Sequence, residues 1–369
     1  MKWKRILAMI LAVASCLSLA VSASAANTVT RKATDFKDYD RTAWYAEAVS
    51  AAVDNGLLYG KSSTVIDPNG AMTRAEMAAI INRSFGCYKT ADISQYKDVS
   101  KSAWYYKDVA LAVQMGTYNG RSSSAMAPDA PISRQEAMTV VARALELDYD
   151  AYAKTDLSKF ADRDKISAWA LPYIRAMVGA DYIHGRGKNL APLDNITRAE
   201  FAQIFANIIG SYITVKGSYD KDIKGSVLIR TDDVTLQNMT VDGDLIIGCG
   251  AADGKITLDN VTVKGRLLVW GGGTKAVYCN AGTNMPAVVV ARVDDAVKVI
   301  YDRDSTLAVI DTIKVRITER AKQHKETEVI FYDVSGLREA QKQLNAIVAD
   351  SQIALTAPAH LYALVGESS

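Results

Sequence analysis

Histidine and cysteine are scarce in this 369-residue chain, at 3 and 4 copies. So few ligands exclude a multi-histidine metal centre. Charge of one sign is also lacking: 43 lysines and arginines face 41 aspartates and glutamates, for a net charge of +2. That balance is not the composition of a disordered acidic tail, and it gives no support to a nucleic-acid binder, which usually carries a net basic face. With 49% hydrophobic and 23% charged residues the chain reads as globular, and its length fits two or three domains.

Long apolar runs are confined to the N-terminus. Lys2, Lys4 and Arg5 precede the apolar stretch Ile6 to Val21, and Ala23-Ser24-Ala25 fits the small-x-small rule of a signal peptidase site. Residues 1–25 are therefore read as an export signal. The run is short for a membrane anchor. Val13-Ala14-Ser15-Cys16 loosely fits a lipobox, but the apolar run continues past Cys16. No other segment is long and apolar enough to span a membrane, so no membrane partner is expected after signal removal. Cleavage leaves 40 basic and 41 acidic residues with Cys87, Cys249 and Cys279. An odd count excludes a full disulfide framework and leaves Cys249–Cys279 as one candidate pair.

Self-similarity organises the first half. Trp44, Trp104 and Trp169 open three comparable stretches. Sixteen residues after each comes a glycine (Gly60, Gly120, Gly185), followed by a cation (Lys61, Arg121, Arg186) and later a proline (Pro68, Pro128, Pro192). Each stretch then reaches a tetrapeptide: Thr73-Arg74-Ala75-Glu76, Ser133-Arg134-Gln135-Glu136 and Thr197-Arg198-Ala199-Glu200. Ahead of each tryptophan stands an aromatic–x–Asp, ending in Asp38, Asp98 and Asp162. Each unit reads as helix, loop, helix. Trp44, Ala48, Val49, Ala52 and Val53 form one apolar stripe, and Met77, Ile80, Ile81 and Phe85 another. Thr73 and Glu76 form a capping box. Capping gives no reason for Arg74, because a cation is mildly unfavourable at a helix N-terminus. A solvated side chain, an ion pair between repeats and a role outside the helix all stand for it. The tryptophans read first as core, with exposure to a ligand as the rival. The aspartates either cap the first helix or accept from a ligand's hydroxyls.

These motifs resemble the S-layer homology (SLH) repeat, over about Thr34 to Ser211. The middle tetrapeptide departs from Thr-Arg-Ala-Glu, and only Asp98-Val99 keeps the family's Asp-Val. The resemblance implies repeats at 33–92, 93–153 and 154–215 packed as an all-α, pseudo-threefold helical bundle. It further implies non-covalent binding of a secondary cell-wall polysaccharide, often pyruvylated, in grooves between repeats. Under that reading Arg74, Arg134 and Arg198 meet the carboxylate with Lys61, Arg121 and Arg186 as second cations. A helix N-terminus would favour the anion, the glycines would let backbone amides approach the sugar, and the tryptophans would stack on it. The implied location is the wall or cell surface, with no cofactor.

Near Lys216 helical periodicity gives way to short β-forming runs. Gly225-Ser226-Val227-Leu228-Ile229 recurs as Gly243 to Ile247 and Gly265 to Val269, at glycine offsets of 18 and 22. Val234 to Val241 matches Ile256 to Val263, which would stack Asn238 on Asn260 as an internal ladder. Coil-sized periods predict a short right-handed parallel β-helix over 216–334, with a β-sandwich as the alternative. Further strands are expected near 287–291, 297–301, 307–310 and 328–332. Residues 335–369 read as a C-terminal helix and tail. Some β-helices are polysaccharide lyases, so Asp232, Asp233, Asp242, Asp244, Asp259 and Arg266 are weighed as catalytic candidates. Aspartate beside glycine is first a turn former. The reading is a non-enzymatic anchor displaying a β-rich module. A wall-anchored lyase-like enzyme and an S-layer subunit are the alternatives.

Overall fold

A computed structural model describes residues 31–272, 277–302 and 313–332. The expected signal, the strand at 307–310 and the C-terminal helix lie outside the described residues. Among the described residues six α-helices come first: α1 (Ala46–Asp54), α2 (Arg74–Phe85), α3 (Tyr106–Met115), α4 (Arg134–Ala144), α5 (Leu171–Gly179) and α6 (Arg198–Ile208). Glycines at positive φ punctuate them, with Gly86 at φ 68° after α2 and Gly116 at φ 75° after α3. Glycine takes that left-handed conformation without a Cβ penalty, whereas α4 and α5 are followed by Glu146 and Asp181 at φ 47° and 61°.

The helices pair across repeats, not within them. α2 packs on α3, α4 on α5, and α6 returns to α1. Three units thereby close a ring, and none buries its apolar faces alone. Three backbone hydrogen bonds lie at the ring's centre. Met72 N–H donates to Ile196 O at 3.0 Å, Ile132 N–H to Met72 O at 3.0 Å, and Ile196 N–H to Ile132 O at 3.1 Å.

Twelve strands follow among the described residues: β1 (Ile209–Ile213), β2 (Gly217–Tyr219), β3 (Ser226–Ile229), β4 (Val234–Val241), β5 (Leu245–Ile247), β6 (Ile256–Val263), β7 (Arg266–Val269), β8 (Val277–Cys279), β9 (Ala287–Val290), β10 (Lys298–Asp302), β11 (Lys314–Ile317) and β12 (Glu328–Tyr332). Odd strands form one six-stranded sheet and even strands another. Every pairing between these strands is parallel, which is not how an antiparallel sandwich is built. The register reproduces the sequence offsets, with Leu228 opposite Ile246 and Ile246 opposite Leu268. β1 begins at Ile209, ahead of the boundary expected at 216, because the chain leaves α6 in extended conformation and pairs at once with β3. Asn238 and Asn260 do stack, Asn260 Nδ2 donating to Asn238 Oδ1 at 2.9 Å. They sit at an exposed corner, not inside, with φ of 51° and 55° that asparagine tolerates well.

The odd sheet is buried on both faces. Val227, Ile229, Leu245 and Ile247 face the even sheet. Leu228, Ile246, Leu268 and Val289 belong to the helical core. Such two-sided burial explains near-continuous apolar runs instead of alternation. Trp270, 2% exposed, sits at the seam. It meets Phe85 edge-on at 6.3 Å, and its Nε1–H donates to Ala144 O at 3.0 Å. Arginines in or just after odd strands, Arg266 in β7 and Arg230 following β3, reach carbonyls at helix C-terminal ends. Arg230 donates to Arg83 O and Asn55 O, each at 2.9 Å, and Arg266 to Glu146 O at 2.9 Å and Leu145 O at 3.1 Å. Cations belong at that end of the helix dipole.

The described cysteines, all free thiols here, lie differently from the sequence expectation. Cys279 lies inside the β core at 1% exposure. Cys249 instead faces Cys87, Sγ to Sγ at 3.3 Å.

Trp270→Ala is expected to cost about 3–5 kcal/mol, read as a lowered urea midpoint of the full chain. A loss below about 1 kcal/mol would mean that the seam is not part of a continuous core.

Candidate functional site

The three tetrapeptides converge on the ring's axis, and each is a joint between repeats. The capping boxes form as expected: Thr73, Ser133 and Thr197 accept from the glutamate amides, and Glu76, Glu136 and Glu200 reach back to the cap amides at 2.9–3.0 Å. The next two amides of each helix also have protein partners. Arg74 N–H donates to Ala130 O at 3.0 Å and Ala75 N–H to Pro128 O at 2.8 Å. Arg134 and Gln135 do the same with Asp194 and Pro192, and Arg198 and Ala199 with Gly70 and Pro68. These helix N-termini are thus filled by neighbouring carbonyls, which corrects the expectation that they favour an anion.

The tetrapeptide arginines are buried, at 3–5% exposure. Each crosses to the next repeat's glutamate: Arg74 to Glu136 at 2.9 Å, Arg134 to Glu200 at 2.9 Å and Arg198 to Glu76 at 3.2 Å. Their Nε–H groups donate to Met126 O, Leu190 O and Ile66 O at 2.8–2.9 Å. The loop cations reach the same carboxylates from within the repeat. Lys61 meets Glu76 at 2.6 Å, Arg121 meets Glu136 at 3.5 Å and Arg186 meets Glu200 at 2.6 Å. One carboxylate therefore serves a cap amide and two cations, three times around the ring.

Asp38, Asp98 and Asp162 each accept two backbone N–H bonds at 2.6–2.9 Å, from Ile66 and Asp67, Met126 and Ala127, and Leu190 and Ala191. They do not cap the first helices, whose N-caps carry no side-chain bond. What they hold is strain: Asp67, Ala127 and Ala191 have φ of 52–54° just before proline, a conformation that costs roughly 1–3 kcal/mol and persists only where surrounding bonds fix it. Gly60, Gly120 and Gly185 pack under the aromatic of the aromatic–x–Asp. A Cβ on Gly120 would lie 2.5 Å from Tyr96 Cε1, and one on Gly185 2.7 Å from Phe160 Cε1. Packing alone accounts for these glycines.

The tryptophans point outward, at 63%, 61% and 51% exposure for Trp44, Trp104 and Trp169. This corrects their reading as core; the residue after each, Tyr45, Tyr105 or Ala170, is buried instead. A groove of about 500 Å³ between the second and third repeats is lined by Trp169 and Tyr173 together with Arg74, Asn119, Gly120, Arg121, Glu136 and Arg143. A second, of about 520 Å³ between the third and first, is lined by Trp44, Glu47, Ala48, Gln203, Ala206 and Tyr212. Arg143 and Tyr173 escaped the sequence reading. Arg143 stacks over Tyr173, with its guanidinium carbon 4.9 Å from the ring centroid. A signal existed for it: Arg83 occupies the same register nine residues after the tetrapeptide arginine, with Asn207 in the third repeat.

In the β-half the acidic candidates are dispersed. Asp244 pairs with Arg266 at 2.6 Å, Asp242 with Lys264 at 2.7 Å, and Asp232 with Lys216 at 2.8 Å. Among the described residues no three His, Cys, Asp or Glu side chains gather to hold a metal.

A family model for the S-layer homology domain matches residues 35–78, 95–138 and 159–202. The chain carries three S-layer homology domains. It is 34% identical over 182 residues to the surface-layer 125 kDa protein of Lysinibacillus sphaericus, covering 48% of this chain and 15% of that protein. It is 23% identical over 194 residues to the S-layer protein sap of Bacillus anthracis, covering 53% and 24%. An endoglucanase of Bacillus sp. (strain KSM-635) is 24% identical over 210 residues, 56% of this chain and 22% of the enzyme, and such enzymes match through the SLH domains. The chain spans about a quarter or less of the length of these relatives. It is a secreted, wall-associated protein of the cell surface. Among the described residues no helix is long and apolar enough to cross a membrane.

The SLH ring carries a pH signature. Burial alone raises the Glu136 carboxyl, but the Ser133 amide and hydroxyl, Arg74 and Arg121 outweigh it and hold it below the usual range. Glu76 and Glu200 are lowered in the same way, burial opposing but Lys61 or Arg186, the cap amide and the neighbour's arginine prevailing. A folded value below the unfolded one adds stability above the unfolded pKa, near 4.3, that is lost as pH falls through the folded value. Urea midpoints of the wild type should therefore drop on acidification below about pH 4.5. Glu136→Gln should cost about 3–5 kcal/mol at pH 7, by stranding Arg74, and flatten that slope. A mutant as stable as wild type at pH 7 would refute the ring's role.

Proposed function

We propose that the SLH ring anchors this secreted protein by binding an acidic secondary wall polysaccharide, of the pyruvylated kind, in the grooves between adjacent repeats. One observation carries this reading: exposed Trp169 and half-buried Tyr173 share a groove with Arg74, Arg121 and Arg143 against the one carboxylate of Glu136. Aromatic faces suit the C–H face of a sugar. A guanidinium fork suits a planar carboxylate. The tetrapeptide arginines contribute from beneath, since most of their donors are taken within the ring. Direct recognition falls to the rim, to Trp44, Trp104, Trp169, Arg121, Arg143 and Tyr173, with Lys61 and Arg186 in the equivalent loops. Asp38, Asp98, Asp162, Gly60, Gly120 and Gly185 shape the loop that carries those cations. No catalysis is required, and several weak grooves on one rigid body gain by avidity.

We further infer that the β-half winds as a short right-handed parallel β-helix, displayed as a structural or interaction module. Support comes from the alternation of consecutive strands between two parallel sheets. The endoglucanase relative keeps a second reading in play, in which an SLH anchor carries an enzyme. Asp244 and Arg266, two of the six candidates for lyase chemistry, are engaged with each other, and Arg266 also with the carbonyls of Leu145 and Glu146.

Replacing the tetrapeptide arginines is a poor binding test, because it would break the ring. Trp169→Ala, Tyr173→Phe and Arg143→Gln together, which keep the Tyr173 ring packed against Tyr149 and the core, should instead leave the melting temperature nearly unchanged while weakening pelleting with wall sacculi by about tenfold or more, a loss of about 1.4 kcal/mol. Sacculi stripped of secondary polymer should bind neither protein. Undiminished pelleting of the folded triple variant would sink the groove assignment, and equal binding to stripped sacculi would sink the ligand class. Release of unsaturated or reducing ends from wall glycans by the full chain with calcium would favour the enzyme.

A further inference from the structure

We propose that Cys87 and Cys249 are a disulfide-forming pair, a covalent tie between the SLH ring and the β-half that forms once the chain is exported. The two sulfurs are 3.3 Å apart although 162 residues separate them in sequence. A disulfide requires about 2.05 Å, so small side-chain rotations close the gap. The backbone is built for this approach. Cys87 follows Gly86, the left-handed cap of α2, and its N–H is fixed to Asn82 O at 2.9 Å. Cys249 lies between Gly248 and Gly250. A Cβ on Gly86 would lie 2.8 Å from Gly250 Cα, and one on Gly248 would lie 2.6 Å from Phe85 O. Glycine on both chains lets the two backbones pass at near contact, and the cysteines are the side chains carried into that crossing. Nothing in helix capping or sheet pairing calls for sulfur at either position.

Both residues are half-buried, beside a small cleft lined by Tyr88, Lys89, Gln114 and Asp294, so a thiol reagent has a route in. Cys279 is excluded as a partner by its place inside the β core. The chemistry is thiol–disulfide exchange with an extracellular oxidant in the disulfide form, either a protein or a low-molecular-weight disulfide. One thiolate attacks the oxidant's disulfide and releases one thiol. The second cysteine attacks the mixed disulfide and releases the other. Two S–H bonds are lost, one S–S bond forms, and two electrons and two protons end on the oxidant. Cys249 beside it, and burial, push the Cys87 thiol well above its ordinary range, so exchange in the docked protein accelerates as pH rises. A link closing so long a loop constrains the unfolded chain strongly.

The test uses the full chain secreted by its host and collected in the presence of an alkylating maleimide. Mass spectrometry of the denatured mature protein should find one alkylated cysteine, Cys279, before reduction and three after it. A non-reduced digest should contain a peptide joining Cys87 to Cys249. Reduction should lower the melting temperature by about 5–10 °C. Cys87→Ser and Cys249→Ser should each abolish that sensitivity. Three alkylated cysteines without reduction, or a link through Cys279, would overturn the proposal. If either serine variant fails to fold, the thiol count and the linked peptide in the wild type still decide.

Discussion

The architecture hangs on one carboxylate used three times. Glu76, Glu136 and Glu200 each close a cap within their own helix and receive an arginine from the preceding repeat. Burying a guanidinium is costly unless geometry and further hydrogen bonds compensate. Here compensation is complete only in a closed ring. Arg74 needs the second repeat, Arg134 the third, and Arg198 the first. Two repeats would leave one arginine unpaired and one glutamate with only the loop cation of its own repeat, and the central circuit of Met72, Ile132 and Ile196 amides would stay open. The number of repeats is thus set by local chemistry, through a penalty that any open arrangement would carry.

That constraint divides labour within each motif. Side chains facing the axis are committed to the ring, and the loop between glycine and proline is committed to holding a left-handed residue under the aspartate clamp. Chemistry free to vary is pushed to the outer rim. There the grooves differ although the ring does not. Arg143 and Tyr173 line one; Gln203 and Ala48 line another; and between α2 and α3 Asn82 donates to Asp108 O at 2.7 Å. A rigid threefold frame with unequal grooves can offer one polymer several distinct contacts at once.

Much of this was legible in the sequence because it is local or periodic. Thr73-x-x-Glu76 is a cap by spacing alone, and the offsets of 18 and 22 between glycines are the register of β3, β5 and β7. What escaped is long-range or depends on which way a side chain leaves its helix. Trp44 lies on the apolar stripe of Ala48 and Val49, but it precedes the first helical residue, Ala46, so helical periodicity does not fix its direction. Asp38 serves amides 28 and 29 residues away, a distance no capping rule covers. The ion pair between repeats stood among the readings of Arg74, but its direction around the ring is a property of closure. The meeting of Cys87 with Cys249 depends on how the odd sheet docks against α2, which no repeat pattern encodes.

That docking follows from the same economy of ends. Six short helices leave many C-terminal carbonyls without intrahelical partners, and the ring has used its own arginines at the opposite ends. The β-half supplies the missing donors: Arg230 at Asn55 and Arg83, Arg266 at Leu145 and Glu146, and Trp270 at Ala144. Leu228, Ile246 and Leu268 complete the helical core. A flexible linker between anchor and module would leave those carbonyls to water and that apolar face exposed. The halves therefore share one core, joined through hydrogen-bonded helix ends as well as through the single strand of chain that leaves α6.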